Sequence, residues 1–171
     1  MNMEPRPNDF FSYECAIHVD ASPARVFSVV GDLGSTVQWA GSGHIRSIEK
    51  VTDGPIGVGT KYRSGEKITM SYGAHTEIVG YEPNDHIMWI SKPVGERVPY
   101  HRWAFWLVPE EGGTRVLHGV RAARAKGPMG LVQRLGFLFT KPTTTIPPGM
   151  DRTLQNVKRL AEAKASVPAS S

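Results

Sequence analysis

The chain has 171 residues, of which 40% are hydrophobic, and its formal net charge is +4. This length and composition predict a single domain with a hydrophobic core. No apolar run approaches the roughly 20 residues of a membrane-spanning helix, and the polar N-terminal segment lacks a hydrophobic signal core. These features predict a cytoplasmic protein. The basic residues are spread along the chain, apart from a local cluster of Arg121, Arg124 and Lys126. Nucleic-acid binding is therefore not expected, because it calls for a dense basic stripe or a recognition motif.

Cys15 is the only cysteine of the chain. An internal disulfide and a multi-cysteine metal site are therefore excluded. Cys15 falls inside a predicted strand, so we expect a buried packing thiol rather than a reactive one.

The first predicted elements are a strand and two short helices. Polar and apolar residues alternate along Phe11–Val19, which is the pattern of a half-buried strand. Ser22 is a plausible N-cap, with Pro23 at the first helical position. That helix is expected to end at Gly31 and Gly34, and a second helical turn is predicted over Ser35–Trp39.

Six further strands follow in unbroken succession, which implies an antiparallel sheet because parallel pairing would need crossover helices. The turns between them carry Gly, Pro, Asn and Asp, including one predicted at Gly65. The tight loop at Glu110–Gly113 would place Phe105 opposite His118. The predicted strands are His44–Val51, Thr60–Ser64, Lys67–Tyr81, Asp85–Ser91, Tyr100–Val108 and Thr114–Ala123.

After the last strand the pattern becomes helical. Pro128–Phe139 forms one apolar segment, flanked by basic residues, that we expect to pack against the sheet edge; a gating helix or a transient contact with an anionic membrane is the alternative. Pro142, Pro147 and Pro148 are expected to break the helical pattern, which resumes over Gly149–Lys164 with one apolar stripe. We expect a flexible N-terminus over 1–9, a single domain over 10–165 and a disordered tail over 166–171.

The order of elements predicts an α+β domain in which a long terminal helix lies across a strongly curved antiparallel sheet of about seven strands. Five segments, spread over nearly the whole chain, resemble the START-like, polyketide cyclase/dehydrase superfamily (SRPBCC), which has the helix-grip fold. The resemblance implies a deep apolar cavity between sheet and helix that binds lipids, sterols or polyketides, and in some members performs cyclisation or dehydration. The segments are Val19–Phe27 (VDASPARVF), Gly54–Thr60 (GPIGVGT), Val79–Asn84 (VGYEPN), Gly113–Val116 (GTRV) and Thr153–Lys158 (TLQNVK).

The last hairpin is the best candidate for a functional site. If Arg115 and Arg121 face solvent, the opposite parity builds an aromatic inner wall that bears His101 and His118. Both histidines are either ordinary sheet residues bonded to a carbonyl or water, or one acts as a general base or as a donor to a ligand carbonyl.

The remaining candidates are ligand contacts. Tyr72 shares the inward parity of its strand if Glu77 faces outward. Trp39 is expected near a cavity mouth and Trp89 in the core, while the terminal helix would cover the cavity. The full set of expected ligand-binding residues is Trp39, Tyr72, Trp89, Trp103, Phe105, Leu107, Val116, Met150, Leu154 and Val157.

Several signatures of catalysis are absent from the sequence. The stretch Gly57–Gly59 precedes a strand rather than opening a helix, so it is no dinucleotide fingerprint. The chain has no GxSxG elbow and no Walker motif. A metal site built from His75, His101 and His118 has no supporting spacing. We therefore expect neither a cofactor nor a metal.

The sequence predicts binding, for transport or sequestration, of a small hydrophobic molecule such as a lipid, a polyketide or an aromatic metabolite. The rival hypothesis is a cyclase or dehydratase in which an inward histidine removes an α-proton. An interaction module, as a monomer or a dimer, is the third hypothesis. The expected partner is the small molecule, with at most transient membrane contact, and the chain is expected to be a monomer or a homodimer.

Overall fold

The computed structural model describes residues 9–67, 71–93, 101–124 and 126–165. Seven strands form one antiparallel sheet in the order β1-β7-β6-β5-β4-β3-β2, and a long helix follows near the C-terminal end of the chain. The α+β class, the curved sheet and the short helices after the first strand are confirmed. The strands are β1 (Asp9–Val19), β2 (Ile45–Lys50), β3 (Lys61–Lys67), β4 (Ser71–Glu82), β5 (His86–Pro93), β6 (His101–Glu110) and β7 (Gly113–Ala123), and the helices are α1 (Pro23–Val30), α2 (Thr36–Trp39), α3 (Pro128–Thr140) and α4 (Pro142–Ala165).

The connection from β1 to α1 follows the predicted capping pattern. The hydroxyl of Ser22 accepts a hydrogen bond from the Arg25 backbone N–H at 3.4 Å, and Pro23 takes the first helical position. Gly31 ends the helix, and its N–H donates to the Phe27 carbonyl. A short 3₁₀ turn, Leu33–Ser35, then leads into α2.

The register of β6 and β7 is the one predicted from the tight loop. Phe105 pairs with His118, and Leu107 pairs with Val116. Directly paired residues of an antiparallel ladder lie on the same face of the sheet. This hairpin therefore delivers its aromatic residues and His118 to one face.

The turn predicted at Gly65 is wrong, because Gly65 lies inside β3 and pairs with both Ser47 and Gly73. The register between β2 and β3 shifts just before Ser47. A Cβ at Gly65 would lie 2.7 Å from the Ser47 hydroxyl oxygen. The glycine therefore marks an irregularity in a strand, which is the other common role of glycine in a β pattern.

The predicted break is confirmed at Pro142, where α4 begins, and is wrong at Pro147 and Pro148, because both of these prolines lie within α4. Each proline removes one backbone donor but leaves the chain in helical φ. The real interruption lies at Lys141, whose φ of +44° separates α3 from α4. A left-handed residue directly after a helix is a common way to end it.

The core lies between the inner face of the sheet and the helices α1, α2 and α4. It joins Val26 and Val30 of α1 to Phe105 of the sheet and to Leu154 and Val157 of α4 in one buried cluster. Within the described ranges, no helix is both long enough and apolar enough to cross a membrane. The expectations for the first eight residues and for 166–171 fall outside the described residues.

Candidate functional site

The centre of the inner face is an aromatic cluster built around His118. The imidazole stacks on the ring of Phe105 with 4.2 Å between ring centroids and an interplanar angle of 15°. The rings of Trp103 and Trp89 are stacked against the same imidazole at 5.9 and 6.3 Å. Three strands, β5, β6 and β7, supply these rings because their registers align Trp89 with Trp103 and Phe105 with His118.

His118 is only 3% exposed, and its hydrogen bonding fixes which ring nitrogen can meet a ligand. Nδ1 lies 2.9 Å from the carbonyl oxygen of Ala104 on the neighbouring strand. A carbonyl can only accept, so Nδ1 carries the proton and donates it. In the neutral ring Nε2 is consequently an acceptor with a free lone pair.

The protonation of His118 is controlled by its surroundings. Burial lowers the pKa of the imidazole to about 4, and the hydrogen bond to Ala104 partly opposes this shift. Burial disfavours the charged form of a histidine, which agrees with the direction. His118 is therefore neutral at physiological pH.

Among the described residues, the imidazole of His118 makes one hydrogen bond, through Nδ1. The lone pair of Nε2 is therefore left without a partner in that part of the chain. The site thus presents one hydrogen-bond acceptor within an otherwise aromatic wall.

His101, the second candidate, lies at the edge of this cluster. Its ring is 6.3 Å from that of Trp103, with an interplanar angle of 35°. Burial lowers the pKa of His101, and the charge of Glu66 partly opposes that shift. His101 is half-buried, whereas His75 is exposed. Thr76 pairs with Ser91 and Ser91 pairs with His101, so Thr76 and His101 share one face of the sheet. His75 precedes Thr76 along β4 and therefore lies on the opposite face.

Trp39 lies deeper than expected. It is 3% exposed, and its ring packs edge-on against Phe105 at 5.5 Å and against Trp89 at 6.4 Å. Its indole N–H donates to the Ser35 hydroxyl at 2.9 Å. The expected place at a cavity mouth is therefore wrong, because the short helices fold Trp39 onto the sheet rather than leave it at a rim.

The apolar candidates from the hairpin and from α4 are buried. Leu107 and Val116 form a directly paired row next to His118 and Phe105. Leu154 and Val157 belong to the same core cluster, and Met150 is 2% exposed. The side chain of Tyr72 lies outside the described residues.

Two residues of the inner face were not among the predicted contacts. Ile87 pairs with Phe105, Ile78 pairs with Trp89, and both isoleucines are fully buried. The period-two pattern of β4 and β5 would have identified them. The role of the Ala104 carbonyl has no sequence signal, because any residue supplies the same group.

A buried hydroxyl lies elsewhere on the same face. Tyr62 is fully buried, and its hydroxyl donates to Asp32 Oδ1 at 3.0 Å. The same carboxylate oxygen accepts from the Gly34 backbone N–H at 2.7 Å. Burial and the charge of Asp32 raise the pKa of Tyr62. This pair anchors the 3₁₀ turn to β3.

No model of a known protein family matches the chain, and no curated protein sequence resembles it. Solved structures do share its fold. The di-domain ARO/CYC StfQ from the steffimycin biosynthetic pathway is 12% identical over 91% of this chain with a TM-score of 0.65, and the match spans 52% of StfQ. The protein TTHA0849 from Thermus thermophilus is 17% identical over 91% of this chain and 100% of that one, with a TM-score of 0.62.

Ara h 8.0201 is 14% identical over 90% of this chain and 98% of that one, with a TM-score of 0.59. At such identities the similarity defines the fold and leaves the activity open. The chain therefore has the helix-grip fold, as the sequence predicted.

Proposed function

We propose that this protein binds a small hydrophobic molecule that carries a hydroxyl group, and that His118 Nε2 accepts the hydrogen bond from that hydroxyl. The lone pair of Nε2, which no described residue uses and which lies within an aromatic cluster, carries the proposal. Ligand pockets are commonly apolar with a few convergent polar groups that fix orientation. Trp89, Trp103 and Phe105 supply flat apolar surface, which favours a planar or polycyclic ligand.

The sequence left open whether a histidine donates to a ligand carbonyl. The hydrogen bonding of His118 argues against that role, because its one ring proton already goes to Ala104. A ligand carbonyl facing Nε2 would set two acceptors against each other. A ligand hydroxyl or N–H matches the lone pair instead.

A second candidate is a cyclase or dehydratase, and the likeness to the ARO/CYC protein StfQ favours it. In that case Nε2 would remove a proton from the substrate. A general base works best when its pKa lies near the working pH, whereas burial holds the pKa of His118 near 4. The hydrogen-bond partner of His118 is also a backbone carbonyl rather than a carboxylate. Binding is therefore the better-supported function.

Native mass spectrometry of the protein purified from its own host tests the proposal, followed by extraction of the bound molecule. We expect a co-purifying apolar compound with a hydroxyl group, and we expect His118→Phe to retain less of it. A compound held equally by wild type and His118→Phe would contradict the role of His118. Conversion of the extracted compound by wild type, but not by His118→Phe, would support the enzyme instead.

A further inference from the structure

Helix α3 exposes a continuous apolar stripe, which we call the α3 stripe. It consists of Leu131, Leu135, Leu138 and Phe139, whose exposed fractions are 63%, 48%, 69% and 86%. Spacings of four, three and one residues put these side chains on one face of an α-helix. The expectation that this segment packs against the sheet edge is therefore wrong for these four side chains.

The opposite face of α3 meets the protein. Gln133 donates from its side-chain amide to the carbonyl of Ala123 at the end of β7, at 2.8 Å. Gln133 lies about 160° around the helix from Leu135, since successive residues turn by ~100°. The bond to β7 therefore fixes the α3 stripe on the outward side, available to a partner.

The segment of the chain that carries the α3 stripe has charges of one sign only. From Gly112 to Met150 the sequence contains six Lys or Arg residues and neither Asp nor Glu. Lys126, Arg134 and Lys141 lie before, within and directly after α3, and all three are exposed. None of the three forms an ion pair within the described part of the chain.

We propose that α3 docks this protein on the surface of an anionic lipid bilayer. Apolar side chains flanked by unpaired cations are the features of a helix that lies in a membrane interface. With 13 residues, α3 is about 20 Å long, shorter than the ~30 Å apolar core of a bilayer, so it would lie along the surface. The α3 stripe then enters the acyl region while Lys126, Arg134 and Lys141 meet lipid phosphates.

A second copy of the chain fits this surface less well. Pairing two α3 stripes would bring together two segments that each lack an acidic residue and carry exposed cations, and like charges repel. A bilayer rich in anionic lipid satisfies the apolar and the charged groups at once.

The test is flotation of the full chain with phosphatidylcholine vesicles, with and without 30% phosphatidylglycerol. We expect binding to the anionic vesicles and at least tenfold weaker binding to the neutral ones. Leu138→Glu should weaken binding to anionic vesicles more than tenfold. Val58→Glu is a matched control, because Val58 is also 69% exposed but lies in the loop between β2 and β3, and it should bind like wild type.

A second pair of variants tests the charge. Arg134→Gln should weaken binding about fivefold, which is the order expected for one cation near an anionic surface. Arg63→Gln removes an exposed arginine from β3 instead, so it should have little effect. Equal binding by Leu138→Glu and Val58→Glu, or equal binding to both kinds of vesicle, would overturn the proposal.

Light scattering without lipid tests whether a second copy of the chain, rather than a membrane, covers the α3 stripe. A monomeric wild type is the expected result. A dimer that Leu138→Glu converts to a monomer would show that a second copy covers the α3 stripe, and would overturn the proposal. Leu138 lies outside the aromatic cluster, so Leu138→Glu should leave ligand binding intact and keep the two proposals separate.

Discussion

The imidazole of His118 lies 4.2 Å from the ring of Phe105 in a nearly parallel stack, with the two residues directly paired across β6 and β7. This contact encloses one face of the imidazole in apolar surface, and the rings of Trp103 and Trp89 add to it. Little water remains to solvate an imidazolium, so the folded protein holds His118 neutral.

The stability of the fold should therefore fall as pH falls below neutrality. The pKa of His118 is about 4 in the folded protein and about 6.5 in an unfolded chain. Between those values the unfolded chain binds the proton and the folded protein does not, so acid favours unfolding. Above pH 6.5 the imidazole is neutral in both states and the effect vanishes.

From pH 7.5 to pH 5 this linkage should lower the free energy of unfolding by about 2 kcal/mol. Urea denaturation at both pH values measures it. His118→Phe should lose that part of the pH dependence, while effects of other groups, His101 included, persist in both proteins. The same pH dependence in wild type and variant would show that His118 is not buried as described.

Tyr62→Phe should destabilise the fold. The variant removes a hydrogen bond to the Asp32 carboxylate; such bonds to charged groups are worth ~1.5–3 kcal/mol. Asp32 is exposed to water, so we expect a loss of about 1–2 kcal/mol in urea denaturation. Tyr81→Phe is the matched control, because no described residue bonds the Tyr81 hydroxyl, and it should lose less than about 0.5 kcal/mol.

The close approach of Gly41 to α4 should tolerate no side chain. A Cβ there would overlap the carbonyl oxygen of Gly149 and lie 2.5 Å from the backbone nitrogen of Thr153. The Gly41 N–H donates to the Thr153 hydroxyl at 2.8 Å, so the loop cannot retreat without breaking this bond.

Gly41→Ala should therefore lower the free energy of unfolding by about 1–3 kcal/mol, which is the usual cost of overpacking, and the melting temperature should fall with it. Gly57→Ala serves as its control, because a Cβ at Gly57 meets nothing within 4 Å. We expect that control to stay within about 0.5 kcal/mol of wild type. Equal melting temperatures for the two variants would mean that the loop is free to move away from α4.

Cys15 should be inert in the folded protein. Burial, and then the nearby Asp151, raise the pKa of the thiol to about 12, and its Sγ lies 3.8 Å from the His118 carbonyl oxygen. The thiolate is the reactive form. At pH 8 a thiol-specific reagent should react on the order of 10³-fold more slowly with the folded than with the urea-unfolded protein. Rapid labelling of the native protein would contradict this environment.

Period-two patterning and turn length were sufficient to predict the sheet and the register of its last hairpin. Because the loop between β6 and β7 is tight, only one pairing of these strands keeps Phe105 and His118 on the same face. The register of the hairpin therefore followed from the sequence. The burial of Trp39 did not follow, because it depends on how two short helices fold back onto the sheet. Local rules for Gly65 and Pro147 gave the wrong result where long-range packing dominates.

The chemistry of His118 also lay beyond the sequence. Which ring nitrogen is free depends on the carbonyl of Ala104 on a neighbouring strand, and a backbone group leaves no trace in residue identity. The exposure of the α3 stripe was hidden for a related reason, since an apolar helical pattern is the same whether the protein or another surface covers it.

The most direct test of the proposed site compares two aromatic ligands that differ in one hydrogen-bond donor. Isothermal titration calorimetry at pH 7.5 should show that 2-naphthol binds about fivefold more tightly than 2-methoxynaphthalene, since a hydrogen bond to Nε2 contributes about 1 kcal/mol. His118→Phe keeps an aromatic ring but no acceptor, so the preference should disappear, whereas His101→Phe should retain it. Equal affinities in wild type, or a preference that survives in His118→Phe, would contradict the account.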